Sequence, residues 1–232
     1  MKPVSLVAAG GTSLALAALL AGPALAASPV KVSVRVEGKS RTLLKTKTVK
    51  TPSSGSITKG GAAKGSCPAG GTAAGALNVA TKGKWNGTDS QSFGIEVTNI
   101  LGETDKFAAG HWWEFFVNDH AASLGICTQK VKPGDQLLFA AVASKGATEF
   151  PIVLSAPGKA TVGRAFQVKA FYYPGKGGKT KPLAGVKLSG VKAQTNAKGV
   201  ATVTPAKAGR LSIVGSKRNE IRSAAATVAV SK

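Results

Sequence analysis

The sequence predicts a mainly β protein with an α+β first module and an all-β second module. Residues 30–36 read Val-Lys-Val-Ser-Val-Arg-Val, and this strict alternation predicts a strand with one buried face. After about Phe150, aromatic residues become sparse and short Val-rich segments alternate with turn residues. Their spacing of roughly 8 to 12 residues is typical of β-sandwiches. The Ala-rich residues 72–81 predict one short helix, for which Thr72 is a suitable N-cap.

The other segments of the first module alternate between strand and turn patterns. Residues 42–51 predict a second strand, and residues 52–71, rich in Ser, Gly, Lys and Pro, predict a loop. Asn86-Gly87 is a turn signal, and residues 93–100 predict a strand with its alternate apolar side chains on one face. The remaining predicted turns are 118–119 and 133–135, and the closing strand is 137–142.

Residues 112–118, Trp-Trp-Glu-Phe-Phe-Val-Asn, form the most strand-like stretch of the chain. Because side chains alternate along a strand, Trp113, Phe115 and Val117 share one face, which we expect to be core. The opposite face mixes aromatic and polar side chains, as a binding face would. It consists of Trp112, Glu114, Phe116 and Asn118.

The second module is expected to be a sandwich of short strands. Its composition differs from that of the preceding residues, so we divide the chain near residue 150. The expected units are a signal peptide over 1–26, a first module over 27–150 and a second module over 151–232. The predicted strands of the second module are 152–154, 165–172, 185–188, 200–203, 209–214 and 224–230.

Charge is distributed unevenly between the modules. The whole chain has 31 Lys and Arg against 10 Asp and Glu, a net charge of +21. Residues 27–150 hold 15 basic and 9 acidic residues, whereas residues 151–232 hold 15 basic residues and one acidic residue, Glu220. Such a field attracts anionic polymers and anionic surfaces. The second module is therefore expected to associate with polyanions of the cell envelope.

The basic residues of the second module are spread over successive strands and turns, which predicts a field around the module and not one pocket. Few aromatic residues accompany them, and the cluster Phe166, Phe171, Tyr172 and Tyr173 is expected to be strand core. Specific recognition of nucleic acid is therefore disfavoured. The expected polyanion-binding residues are Lys159, Arg164, Lys169, Lys187, Lys192, Lys198, Lys207, Arg210, Lys217, Arg218 and Arg222.

The first residues have the order of an export signal. Lys2 supplies a positive start, residues 4–20 are apolar, and Ala24-Leu25-Ala26 is a small-x-small cleavage site. An uncleaved membrane anchor is the alternative, but residues 10–13 interrupt the apolar run. No later apolar run approaches the ~20 residues that span a bilayer. We expect a mature chain from Ala27 that is secreted or associated with the cell wall.

Two cysteines, Cys67 and Cys127, remain after the export signal. An even count in an oxidising compartment predicts one disulfide. Metal ligation is the alternative, but neither cysteine has the closely spaced Cys or His that zinc sites usually show. We therefore expect a disulfide that ties the Gly-rich loop to the segment after the aromatic strand.

The order of motifs in the first module resembles a known family. The motifs are a Val-rich first strand, Thr42-Leu43-Leu44, the Cys67 loop, Thr72-Ala73-Ala74-Gly75-Ala76-Leu77, Phe93-Gly94, residues 112–118, and Val131-Lys132-Pro133-Gly134-Asp135. Over residues 30–143 they resemble the β-grasp-like family of unknown function related to the C-terminal domain of transcobalamin and intrinsic factor. This resemblance implies a β-grasp-like fold. The family usually has Asn-Gly at 118–119, and the large helical domain of cobalamin carriers is absent here.

The second module also carries a recognisable pattern. Residues 182–186, Pro-Leu-Ala-Gly-Val, precede residues 195–201, Thr-Asn-Ala-Lys-Gly-Val-Ala. This pattern resembles the Ig-like β-sandwiches of bacterial surface proteins. The resemblance implies a role as a spacer or an adhesive unit.

Catalytic patterns are not evident in the sequence. There is no Gly-x-Ser-x-Gly elbow, and residues 60–66 lack the Gly-Lys-Ser/Thr ending of a phosphate loop. His111 and His120 could form a cluster with neighbouring acidic residues. However, they bracket a strand of about seven residues, so we expect them at opposite ends of it. No catalytic residue, metal or cofactor is predicted.

The tryptophans are the best candidates for ligand contacts, because an exposed indole can stack on a ring. Trp112 either stacks on a ligand or covers the sheet edge, and Trp85 is a further candidate. Three hypotheses follow: an envelope-associated, non-enzymatic binding protein, an extracellular carrier of a corrinoid-like or carbohydrate ligand, or a wall enzyme. The first needs only the charge and the two β modules, whereas the third lacks a catalytic group.

Overall fold

The computed structural model describes residues 28–90, 94–146, 148–175 and 178–232. Strands make up 46% of the structure and helix 7%, which confirms the mainly β class. The predicted export signal over 1–26 and the cleavage position before Ala27 lie outside the described residues, as does Phe93.

The described residues of the first module form one α-helix, two short 3-10 helices (Lys59–Gly61 and Phe107–Ala109) and eight strands. The sheet order β2-β1-β8-β6-β7 places β1 parallel to β8, with antiparallel partners on both sides. Parallel neighbours require a crossover connection, which here contains α1, so the topology is that of a β-grasp. Strands β3, β4 and β5 form a separate antiparallel sheet. The elements are β1 (Lys31–Glu37), β2 (Thr42–Lys50), α1 (Ala73–Ala80), β3 (Trp85–Ser90), β4 (Gly94–Ile100), β5 (Glu103–Thr104), β6 (His111–Val117), β7 (His120–Ala121) and β8 (Gln136–Ala143).

The helix begins where the sequence predicted. Thr72 is the N-cap, and its Oγ1 accepts a hydrogen bond of 3.1 Å from the Gly75 backbone N–H. Gly75 lies so close to the preceding loop that a Cβ would meet the Ala69 carbonyl oxygen at 1.9 Å. The helix therefore packs against its own loop, and Leu77 is completely buried in the first-module core.

The predicted turn at Asn86-Gly87 is wrong. Both residues lie inside β3, with a register shift between them that marks a β-bulge. A Cβ on Gly87 would meet the Glu96 carbonyl oxygen at 2.3 Å. The glycine therefore serves the close approach of β3 to β4 and does not reverse the chain.

The predicted turn at Asn118-Asp119 is confirmed. Both residues have positive φ, 52° and 64°, and they join β6 to β7 as a two-residue hairpin turn. Asn and Asp tolerate this left-handed conformation better than other non-glycine residues.

The second module is a β-sandwich. One sheet has the order β10-β17-β16-β13-β14, and the other consists of β12-β11-β15 with β9 beside β11. Val168, Val186, Ile213 and Val228 are completely buried in the core that both sheets supply. Three strands of two or three residues, β10, β12 and β14, escaped prediction because they are too short to show alternation. The strands are β9 (Val153–Ser155), β10 (Lys159–Thr161), β11 (Phe166–Tyr172), β12 (Lys181–Pro182), β13 (Lys187–Ser189), β14 (Ala193–Gln194), β15 (Val200–Val203), β16 (Gly209–Ser216) and β17 (Ala226–Ser231).

A third apolar cluster joins residues from both parts of the chain. Phe116 of β6 and Leu138, Ala140 and Val142 of β8 form it together with Ile221, which follows β16. The first-module core therefore packs against one face of the β-grasp sheet, and Ile221 packs against the other face. In the described part of the chain, no helix is long and apolar enough to cross a membrane.

Candidate functional site

The two faces of β6 have the polarity that alternation predicted. Trp113 and Phe115 are buried in the first-module core, and the Phe115 ring stacks on Phe139 with centroids 4.9 Å apart. The opposite face, which carries Trp112 and Glu114, is directed towards residues of the second module. It is therefore partly covered, although the alternating pattern alone suggested an open surface.

A cleft of about 530 Å³ lies between the modules at this face. Trp112 and Glu114 line it from β6, and His120 from β7. Tyr173, just after β11, lines it from the second module, with its ring centroid 4.4 Å from that of His120. The His120 Nδ1 atom also lies 3.2 Å from the Gly175 carbonyl oxygen. Lys145 and Glu149 also line it, so the cleft combines aromatic rings with charged side chains, as small-molecule sites do.

Glu114 lies in this cleft, and the pKa of its carboxyl group differs strongly from the usual value. Burial raises the pKa of its carboxyl to about 7, because desolvation disfavours the charged form. Among the described residues it takes part in no ion pair. Near neutral pH the cleft therefore holds a carboxyl group that exchanges between a neutral hydrogen-bond donor and an anion.

Two of the predicted ligand contacts, Trp85 and Asn118, have structural roles and do not line the cleft. Trp85 is 3% exposed, and its Nε1 donates a hydrogen bond of 3.1 Å to Asn78 Oδ1. Phe116 lines the cleft, but it is only 3% exposed, because Ile221 packs in the same cluster.

Asn118 is the other predicted ligand contact that has a structural role. Its Nδ2 donates to Asp135 Oδ1, and its Oδ1 accepts from the Gln136 backbone N–H, both at 2.9 Å. These bonds fix the turn after β6 against the start of β8. Of the residues predicted on this face, Trp112, Glu114 and Phe116 line the cleft. Trp112 and Glu114 are the more accessible candidate ligand contacts, because Phe116 is buried.

Sequence reasoning missed the other side of the cleft. His120, Phe150 and Tyr173 line it, and Phe107, 58% exposed, lies at its edge. Tyr173 was predicted to be strand core, but β11 ends at Tyr172 and Tyr173 contacts His120 instead. No local pattern signals this contact, because its two residues belong to different modules.

The predicted disulfide is confirmed. Cys67 and Cys127 are bonded, with Cα atoms 4.6 Å apart and both side chains fully buried in the first-module core. The bond joins the loop before α1 to the segment after β7. Because both thiols are consumed, neither cysteine can act as a nucleophile or a metal ligand while the bond is intact.

The two histidines lie apart. His111 begins β6, whereas His120 pairs with Val117 at the end of the same strand. Within the ranges that the structure describes, no group of three His, Cys, Asp or Glu side chains is arranged to hold a metal ion.

The predicted polyanion-binding residues lie mostly on the surface of the second module. Arg222 is the exception: its Nε donates a hydrogen bond of 2.9 Å to Glu37 Oε2 of the first module. We therefore remove Arg222 from the basic surface. The exposed residues, which we call the basic surface, are Lys159, Arg164, Lys169, Lys187, Lys192, Lys198, Lys207, Arg210, Lys217 and Arg218.

The fold and surface thus define a two-module β protein with an aromatic cleft and a basic surface. No protein-family model matches the chain, and no curated protein matches it. Among solved structures, the chain is similar to one described as a "putative metal binding protein" from Ruminococcus gnavus ATCC 29149. The match has 12% sequence identity and a TM-score of 0.35, and it covers 49% of this chain and 97% of the other.

Proposed function

We propose that this chain is an exported, non-enzymatic binding protein that associates with anionic polymers of the cell envelope through its second module. The observation that carries the proposal is the basic surface itself. Its ten side chains are exposed, and residues 151–232 contain a single acidic residue. None of the ten takes part in an ion pair among the described residues.

The physics of such a surface favours polymers over small anions. Each phosphate or sulfate that a cation neutralises releases a condensed counterion, so many weak contacts add up along a chain. Exposed charges are screened beyond a Debye length of ~10 Å at 0.1 M salt, so binding must weaken steeply as salt rises. Outside a cell, wall and membrane phosphates are abundant polyanions.

Export is part of the proposal. The order of Lys2, an apolar stretch and Ala24-Leu25-Ala26 supports cleavage before Ala27. The Cys67–Cys127 disulfide supports an oxidising compartment, where such bonds persist. A secreted or wall-associated location follows from both.

The test is retention of the full mature chain on isolated cell envelopes and on heparin, measured against salt. We expect binding to fall steeply between about 50 and 200 mM salt. A charge-reduced variant, in which six residues of the basic surface are changed to Gln, is compared with the wild type. It should be retained less than the wild type at every salt concentration. Salt-independent retention, or equal retention of the variant, would reject the proposal.

A second candidate function is supported by the cleft between the modules. Trp112, His120 and Tyr173 surround it with aromatic rings, and Glu114 supplies one titrating carboxyl. This arrangement suits a planar or ring-shaped ligand, such as a carbohydrate or a corrinoid-like ring. The chain would then be an extracellular carrier. Ligand-dependent quenching of Trp112 fluorescence, lost in Trp112→Phe but kept in Trp85→Phe, is the expected result.

A further inference from the structure

We propose that a groove at one end of the β-sandwich is a specific binding site for a polymer that carries phosphate groups. This inference rests on the proposed polyanion binding. A groove of about 540 Å³ lies there, between the turn after β13 and the connection from β15 to β16. Val191, Val203 and Leu211 form part of its apolar lining. We call it the terminal groove.

Three cations line the terminal groove, and each comes from a different segment. Lys192 follows β13, Lys207 lies in the β15–β16 connection, and Arg210 is near the start of β16. All three are exposed, and none takes part in an ion pair among the described residues. No acidic side chain lines the groove.

The one acidic residue of the second module is too far away to neutralise this charge. Glu220 follows the far end of β16, where it accepts a hydrogen bond of 3.1 Å from the Phe150 backbone N–H. The terminal groove lies at the near end, beside Gly209. Seven residue steps from Gly209 to Ser216 correspond to about 23 Å of strand. This exceeds the Debye length of ~8 Å at physiological salt, so Glu220 does not compensate the charge of the groove.

Another basic cavity makes the contrast clear. Two carboxylates, Glu149 and Glu220, line a cavity between the modules together with five cations, Lys39, Lys187, Lys217, Arg218 and Arg222. Lys39 is also paired with Asp105, with Nζ and Oδ1 2.8 Å apart. Carboxylates therefore offset part of the cationic charge in that cavity, whereas no carboxylate of the described residues lines the terminal groove.

The lining of the terminal groove also indicates the chemistry of its occupant. Arg210 can hold two oxygens of one phosphate, and lysines bind phosphates as point charges. Thr202 and Thr204 add hydroxyl groups to the lining, and these can donate to phosphate oxygens. Three cations on three separate segments suit successive charges along a chain better than one small anion.

The test compares two triple variants of the full chain that remove the same charge. The groove variant is Lys192→Gln, Lys207→Gln and Arg210→Gln, and the control is Lys169→Gln, Lys198→Gln and Arg218→Gln. The probe is inorganic polyphosphate, titrated at several salt concentrations. At about 0.7 counterions per contact, losing three contacts at 0.1 M salt weakens binding about a hundredfold and lowers the salt slope by about 2. The control should lose at least about tenfold less affinity than the groove variant, since its three charges are scattered over the basic surface and do not line one groove.

Each alternative outcome overturns a defined part of the proposal. Equal losses in both variants would mean a diffuse field, which rejects the groove and keeps the proposed function. No loss in either variant would reject both. Equally tight and equally groove-dependent binding of polyglutamate would reject the preference for phosphate. Stronger binding to phosphatidylglycerol vesicles than to polyphosphate would assign the groove to a membrane surface. Matched melting temperatures of the variants verify folding. If the groove variant unfolds, the single variant Lys207→Gln, at a loop position, replaces it in the comparison.

Discussion

Arg222 Nε donates a hydrogen bond of 2.9 Å to Glu37 Oε2, although the two residues are 185 positions apart in the chain. Arg35 Nη1 approaches the other oxygen of Glu37 at 2.8 Å and also donates to the Arg222 carbonyl oxygen at 2.6 Å. The Glu37 side chain is only 2% exposed. One buried carboxylate therefore joins a cation of β1 to a cation of the second module.

This ion cluster gives the first prediction. Replacing Glu37 by Ala leaves Arg35 buried without its counter-charge, so the free energy of unfolding should fall by about 3–5 kcal/mol. Urea unfolding measures the change. The control is Glu96→Ala, at an exposed position of β4, which should stay within about 0.5 kcal/mol of the wild type. A loss at Glu37 no larger than at Glu96 would show that the cluster contributes nothing to stability.

The second prediction concerns the disulfide. Cys67 and Cys127 are 60 positions apart, so the chain-entropy relation gives about 4 kcal/mol of stabilisation. The double variant Cys67→Ser, Cys127→Ser should lose about that amount in the first module, while unfolding of the second module is unchanged. Thermal unfolding with and without reductant measures both. Reduction that leaves the wild-type transitions in place would contradict it.

The third prediction separates the two faces of β6. Trp113→Ala removes a buried aromatic and should cost about 3–5 kcal/mol of stability. Trp112→Ala should leave the fold intact and weaken binding of a ring-shaped ligand by about 1–3 kcal/mol. Denaturant unfolding and ligand titration of both variants test this, and similar behaviour of the two variants would contradict the assigned faces.

The fourth prediction concerns pH. Because burial raises the pKa of Glu114 from 4.5 to about 7, the folded chain binds more protons than the unfolded chain between these values. The stability that Glu114 contributes is therefore complete below about pH 4.5 and is lost as pH rises to about 7. Glu114→Gln should remove this loss, so the variant gains stability relative to the wild type at pH 8 but not at pH 4.5. Urea unfolding at both pH values measures it, with the exposed Glu96→Gln as the matched control. An equal effect of Glu114→Gln at both pH values would contradict it.

The fifth prediction concerns export. We expect the secreted protein to begin at Ala27, because Ala24-Leu25-Ala26 has the small-x-small pattern of a cleavage site. Intact mass of the secreted protein measures the start. Recovery of an uncut chain held in the membrane would contradict it.

Features that depend on neighbouring residues could be predicted from the sequence. Alternation located most of the longer strands, Thr72 marked the helix start, and Asn118-Asp119 marked a hairpin turn. These succeed because local backbone preferences and side-chain alternation act over a few residues. The disulfide was also predictable, since only two cysteines remain after the export signal.

Only the tertiary structure decided what covers each face. The same Asn-Gly pair that favours a turn became a bulge, because β4 lies against Gly87. Trp85 and Phe116 had the composition of ligand contacts, yet packing buries them both. Periodicity shows which side of a strand is apolar, but it does not show which segment packs against that side. The sequence by itself determined the β modules, their charge and the disulfide. The cleft, the Glu37–Arg222 pair and the terminal groove depend on contacts between distant segments, so only the folded chain specifies them.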